Sequence, residues 1–190
     1  MEHTDVLVVG GSAAGLAACL AAKAHYPKKS VLQIRKEEKA VIPCGIPYIF
    51  GSLESPQQNI LPDAGLVKAG VKIAINEVVS IDAEQKTCKL KDSAEVSWDK
   101  LIIATGSTPV IPGWLKGAQL ENVFTVPKEL TYLEAMNEKL KDLQNIVVIG
   151  AGFIGIEMSD ELKKAGKNVT LIEVMPHILG AAFDAEIADE

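Results

Sequence analysis

The sequence predicts an α/β fold of two βαβ units, the second incomplete, with a β-meander inserted between them. Three observations predict it. The apolar run Val6-Leu7-Val8-Val9 leads into a Gly-rich turn, Gly10-Gly11-Ser12-Ala13-Ala14-Gly15, and then an Ala-rich helical stretch. The same order returns about 140 residues later, where Ile146-Val147-Val148-Ile149 leads into Gly150-Ala151-Gly152-Phe153-Ile154-Gly155. Between the two copies lie short apolar runs separated by turn residues, the pattern of small paired strands.

In the first unit, strand 6–9 precedes a helix from about residue 16 to 24, which ends near Tyr26-Pro27, and a second strand at 31–34. The meander follows, with strands at 71–75, 78–81, 87–90 and 95–98, closing on Leu101-Ile102-Ile103-Ala104-Thr105-Gly106. Residues 113–144 read as a connecting segment between domains at 1–112 and 145–190. In the second unit, strand 146–149 is followed by a helix to about Ala165, Gly166 as its stop, strand 169–172 ending at Glu173, and a last helix at 185–190.

Composition sets mild bounds. A chain of 190 residues, 48% hydrophobic and with a net charge of −6, reads as a soluble globular protein with room for one large or two small domains. No basic patch invites nucleic acid, and no apolar stretch is long enough to span a bilayer. Met1-Glu2-His3-Thr4-Asp5 runs into a strand without signal-peptide features, so a cytoplasmic location is expected, with His3 on a frayed terminus. Cys19, Cys44 and Cys88 are too scattered for a metal pair or a disulfide framework. No metal site is expected.

Both Gly-rich turns have Rossmann-like chemistry. Glycines let a backbone approach a pyrophosphate, and the helix amino terminus behind them presents unpaired N–H groups and a partial positive charge. The first turn carries Ser12 at the middle glycine position, leaving a purely structural turn as the alternative. The second has every part of the fingerprint. Its acid, Glu173, is placed to accept ribose hydroxyls and to repel a 2′-phosphate, which favours NADH over NADPH. Glu157, read as lying in the first turn of the second helix, either complements the helix dipole or reaches a nicotinamide. The first unit departs from the pattern, because its second strand ends in Arg35-Lys36. Arg only donates hydrogen bonds, so either Glu37 or Glu38 replaces the acid, or Arg35 stacks on an adenine or binds phosphate, or the charged run is a solvated turn.

Trp98-Asp99-Lys100-Leu101-Ile102-Ile103-Ala104-Thr105-Gly106-Ser107-Thr108-Pro109, the two Gly-rich turns and Cys44-Gly45-Ile46-Pro47-Tyr48 occur in the order found in two-dinucleotide flavoproteins. The chain thereby resembles the amino-terminal part of an FAD-dependent pyridine nucleotide-disulfide oxidoreductase. The resemblance implies FAD at the first unit, with contacts from Gly10, Gly11, Ser12, Ala14, Gly15, Arg35, Val79 (or Val78), Ala104, Thr105 and Gly106. It implies NADH at the second, with contacts from Gly150, Gly152, Ile154, Gly155 and Glu173, and Glu157 near the nicotinamide.

Cys44 decides the branch. The two-cysteine reductases place a partner five residues on, where this chain has Ile49. A lone thiol cycles as a mixed disulfide, as in coenzyme A disulfide reductases, or as a sulfenic acid, as in NADH oxidase- and peroxidase-like enzymes. Ala13 stands where the peroxide-handling branch carries His, which favours the former. Gly45 to Phe50 could begin a helix with Pro47 in its first turn, stabilising the thiolate, while Pro43 removes one backbone donor. A small buried hydrophobe is the alternative for Cys44, and packing the expected use of Cys19 and Cys88. The expected activity is NAD(P)H-dependent reduction of a small disulfide or persulfide, with Cys44 and Glu157 catalytic; a catalytically incomplete nucleotide-binding redox sensor is the non-enzymatic alternative. A longer form is expected to be a homodimer, and this fragment to lack full activity.

Overall fold

The computed structural model describes residues 1–180 and 182–188. The chain divides into two compact units, Met1–Pro43 with Ile60–Pro112, and Cys44–Asn59 with Gly113–Glu190.

The first unit is a six-stranded sheet in the order β3-β2-β1-β6-β5-β4. Its elements are β1 Glu2–Val9, α1 Ala13–His25, β2 Val31–Arg35, α2 Ala64–Lys68, β3 Lys72–Ile75, β4 Val78–Asp82, β5 Thr87–Leu90 and β6 Glu95–Ile103. β1 pairs in parallel with β2 and β6, and β2 with β3; β5 pairs antiparallel with both β6 and β4. Side chains on a strand alternate between faces, and this sheet uses both. One face buries Leu7, Val9, Leu32 and Ile34 with Cys88, Val96 and Trp98; the other buries Val8 and Val31 with Cys19 of α1, Leu66 of α2 and Val71. Each such large aliphatic side chain contributes about 1.5–3 kcal/mol on full burial.

Three sequence expectations change here. Residues 71–75 do not join the meander, because β3 lies parallel beside β2, its Ile73 opposite Gln33. The strand expected at 95–98 and the Leu101-Ile102-Ile103 run on which the meander closes are one strand, β6, since pairing with β1 runs from Glu2 opposite Val96 to Val9 opposite Ile103 and carries the backbone through Asp99-Lys100. His3 is no frayed residue: it lies in β1, with Nδ1 3.1 Å from Ser97 Oγ and Nε2 3.6 Å from Asp99.

The second unit holds α3 Leu130–Lys141, β7 Asn145–Ile149, α4 Phe153–Lys164, β8 Asn168–Ile172 and α5 Ala185–Ala188. Residues 189 and 190 of the last expected helix lie outside the described residues. β7 and β8 pair in parallel from Asn145 opposite Asn168 to Ile149 opposite Ile172, with α4 as the crossover. Gly166, at φ +81°, stops α4 as a left-handed residue after the helix must, and Lys167 N–H bonds Leu162 O at 3.1 Å. α3 lies in the stretch read as a connector. Leu130, Leu133, Met136 and Leu140 recur at helical spacing and are buried.

The helix expected from Gly45 is instead a pair of 3-10 turns, Pro43–Gly45 and Pro47–Phe50, followed by a third at Pro56–Asn59. Two prolines within five residues remove the donors that a longer α-helix needs.

Candidate functional site

The first Gly-rich turn is built by close backbone approach. Gly10 has φ +118°, and a Cβ added to it would lie 2.0 Å from Ala104 O; one on Gly15 would lie 2.1 Å from Gly10 O. No larger residue fits either place. Gly10 N–H bonds Ile34 O at 2.8 Å, and Ala104 N–H bonds Val9 O at 2.8 Å, so the Ala104-Thr105-Gly106 end of β6 runs beside the turn. Ser12 takes φ −86°, which any residue adopts, and its hydroxyl donates to Val41 O at 3.3 Å. That bond explains how a serine replaces glycine here. α1 then begins at Ala13 with no acid in its first turn, and Ala14 is exposed. At β4 the register with β5 shifts between Val78 and Ser80, and Val79 is exposed at this irregularity.

The second turn repeats the first. Gly150 has φ +99°, a Cβ on Gly155 would lie 1.8 Å from Gly150 O, and Gly150 N–H bonds Ile172 O at 2.8 Å. Around Gly152 the space is open. Ile154 is exposed on the first turn of α4. Glu173 reaches back to this turn: one carboxylate oxygen accepts from Ala151 N–H at 2.6 Å, the other from Val174 and Met175 N–H at 2.7 and 2.8 Å. Hydrogen bonds from Met175 and Ala151 hold its carboxyl below the ordinary glutamate range. Glu157 is exposed and, since α4 starts at Phe153, lies beyond the first turn where the sequence had placed it.

Arg35 is neither solvated nor open to a ligand's ring. Its guanidinium side chain is 3% exposed. It donates to Asp63 twice at 2.6 Å, to Glu37 O at 3.0 Å and to Glu38 O at 2.7 Å, which commits four of its N–H directions. Its methylenes pack on Gly11, where an added Cβ would lie 2.2 Å from Arg35 Cδ. Asp63 is a site neighbour that sequence reasoning missed, because nothing in the sequence links a lone acid 28 residues on to the end of β2.

Cys44 is exposed, in contrast to buried Cys19 and Cys88. Burial pushes the Cys19 thiol up to about 11 and raises that of Cys88 as well, so neither is a ready thiolate. Cys44 sits in the middle of the first 3-10 turn. Next to it, Gly45 is packed so closely that a Cβ would meet Asn59 Oδ1 at 2.0 Å. The end of the loop is tied to α4. Buried Glu161 accepts from Ser52 N–H at 2.7 Å and from Ser52 Oγ at 2.6 Å, and Gly51 leaves no room for a Cβ against the Glu161 carbonyl. Burial pushes the Glu161 carboxyl up, but hydrogen bonds from Lys164 and Ser52 outweigh it and hold it below the ordinary range. This clamp also escaped the sequence, where nothing links Ser52 to an acid 109 residues on.

Among the described residues no group of three His, Cys, Asp or Glu side chains is placed to hold a metal, and no helix is long and apolar enough to cross a membrane.

Comparison with known proteins points one way. The family model for pyridine nucleotide-disulphide oxidoreductases matches residues 4–190. An NAD(P)H coenzyme A polysulfide/persulfide reductase of Pyrococcus horikoshii is 34% identical over 192 residues, covering 97% of this chain and 42% of its own. Two solved structures are similar throughout. A water-forming NADH oxidase from Lactobacillus brevis, bound to NADH, is 31% identical with a TM-score of 0.86, over 98% of this chain and 43% of its own. An NAD-dependent persulfide reductase from A. fulgidus is 30% identical with a TM-score of 0.87, over 97% of this chain and 37% of its own. The chain thus spans less than half the length of these relatives. Two glycine cradles of one design, a meander-bearing sheet and a family match over nearly every residue have a single reading: the chain belongs to the pyridine nucleotide-disulphide oxidoreductase family.

Proposed function

We propose that this chain carries the nucleotide cradles and the thiol of an FAD-dependent NAD(P)H oxidoreductase that reduces a small disulfide or persulfide of the coenzyme A type. The observation that carries the reading is the pairing of two equivalent Gly-rich cradles with one exposed cysteine, Cys44, while the other two thiols are buried. The residues fit the groups: Gly10, Gly11, Ser12, Ala14 and Gly15 would hold the FAD pyrophosphate, with Ala104, Thr105, Gly106 and Val79 beside it. Gly150, Gly152, Ile154 and Gly155 would hold NADH, with Glu173 at its ribose. Bound together, FAD and NADH supply two-electron transfer.

The protein's part is to keep pyrophosphates on helix amino termini without a competing carboxylate in either first helical turn. Cys44 thiolate attacks the disulfide R–S–S–R, forms a Cys44–S–S–R bond and releases one RS⁻. Cleaving that bond to return the Cys44 thiolate and a second RS⁻ takes two electrons, which NADH would supply on becoming NAD⁺ and a released proton. Glu157, exposed on α4, is the proposed neighbour of the nicotinamide. Similarity to the P. horikoshii and A. fulgidus reductases supports the sulfur substrate, and Ala13 in the first turn supports it over peroxide. Similarity to the L. brevis oxidase supports a second reading, in which Cys44 cycles as a sulfenic acid. The partners proposed are small molecules, with a homodimer for the longer form and a cytoplasmic location.

Coenzyme A disulfide added to the purified chain should leave one coenzyme A on Cys44 and release one coenzyme A thiol, read by intact-mass and peptide mapping. Cys44→Ser should abolish both. Coenzyme A on Cys19 or Cys88 instead would reject the assignment, and a stable Cys44 sulfenate formed by peroxide, without the mixed disulfide, would select the second reading.

A further inference from the structure

The chain contains its own reference for how a cradle's ribose acceptor is placed. In the second copy the residue ending the second strand, Glu173, sends its carboxylate to the turn, bonding Ala151 N–H at 2.6 Å. In the first copy the equivalent residue is Arg35, and the position equivalent to Ala151 is Gly11, against whose Cα the Arg35 methylenes pack. The residue that ends this strand is a cation where the second copy has a carboxylate. One stands at the far end of the guanidinium: both oxygens of Asp63 lie 2.6 Å from Arg35 nitrogens, and the Asp63 side chain is 38% exposed. The arginine is buried and the acid is not. A carboxylate that accepts a bidentate guanidinium keeps further lone pairs for hydroxyl donors.

Resting on the proposed FAD site at the first cradle, we infer that Asp63, held out by Arg35, is the acceptor for the adenosine ribose hydroxyls. The Arg35–Asp63 pair thus performs jointly what Glu173 performs alone. The exchange also explains why Gly11 is glycine where the second copy has Ala151: the arginine stem occupies the space of its Cβ. Hydrogen bonds from Arg35 hold the Asp63 carboxyl below the ordinary aspartate range, with burial opposing, so the acceptor is ionised at neutral pH.

The test is binding of FAD and of its 2′-deoxyadenosine analogue to the purified chain, followed by flavin fluorescence, with a thermal melt of every variant. Wild type should prefer FAD by about ten- to hundred-fold, the scale of hydrogen bonds to a charged group. Asp63→Asn should erase that preference by weakening FAD alone. Because this variant leaves Arg35 buried without its anion, a second one, Arg35→Glu/Asp63→Ser, moves the acid to the strand end and should restore the preference. Discrimination that survives in Asp63→Asn, or that disappears instead in Glu37→Gln/Glu38→Gln, overturns the assignment. If wild type binds both flavins equally, the acceptor role fails while the flavin site stands; if it binds neither, the reading of the first cradle falls and this assignment with it.

Discussion

At the scale of single residues, position in the chain said less about a charge than its partners do. Arg35, whose place in the pattern left several roles open, is a buried hub; Glu161, within a helix, is buried against Ser52. Glu173, by contrast, stands where its motif put it, and the reason is local: the turn beside it offers Ala151 N–H and the chain after it offers two more donors. With the proposed ribose contact, Glu173→Ala should weaken NADH binding about tenfold or more and narrow the NADH-to-NADPH ratio, measured by nucleotide titration. An unchanged ratio would remove Glu173 from the ribose. Cys44 was legible as a residue and its exposure was not, since a thiol in an apolar run reads equally as packing.

Elements built on covalent geometry were the readable ones. Both cradles announce themselves because their glycines follow from backbone geometry: an added Cβ on Gly10, Gly15 or Gly155 would meet a backbone oxygen at about 2 Å, and Gly150 has φ +99°. Gly15→Ala or Gly155→Ala should therefore lower the melting temperature and abolish binding at that cradle, with overpacking of about 1–3 kcal/mol. Gly152 separates the two roles. It has φ −77° and open space around it, so under the proposed NADH site Gly152→Ala should melt like wild type while losing nucleotide affinity, because its methyl meets no protein atom and enters only the space proposed for the nucleotide. A melt as low as that of Gly155→Ala would show Gly152 to be structural. α3 was within reach of the sequence, its Leu130, Leu133, Met136 and Leu140 spaced for one helix face, whereas the 3-10 turns around Cys44 were not. Pro43 and Pro47 forbid a long helix without saying which short turn replaces it.

For the whole molecule, the notable grouping is that Cys44–Asn59 belongs to the same compact unit as the chain from Gly113 on, although 53 residues separate them in sequence. Glu161 and Ser52 hold that grouping. Glu161→Ala should cost about 1–3 kcal/mol and speed amide exchange in 46–53 and along α4, while exchange in β1 and β2 stays as it was. Equal acceleration everywhere would mean a global effect and no clamp. The pH sense follows from a carboxyl held low in the folded chain: its contribution is complete above the ordinary glutamate value and is lost as pH falls through the lower folded one. Glu161→Gln should flatten that part of the acid-stability curve. The amino-acid order alone determined the two βαβ units, the Gly-rich turns and the candidate thiol, since each depends on neighbours within a few residues or on a repeated local pattern. Only the folded chain decided that β6 is continuous, that β3 joins the parallel sheet, that Arg35 faces Asp63 and that Ser52 anchors to Glu161. Those outcomes depend on hydrogen-bond partners 28 to 109 residues away, which become neighbours only when the strands and helices close on their cores.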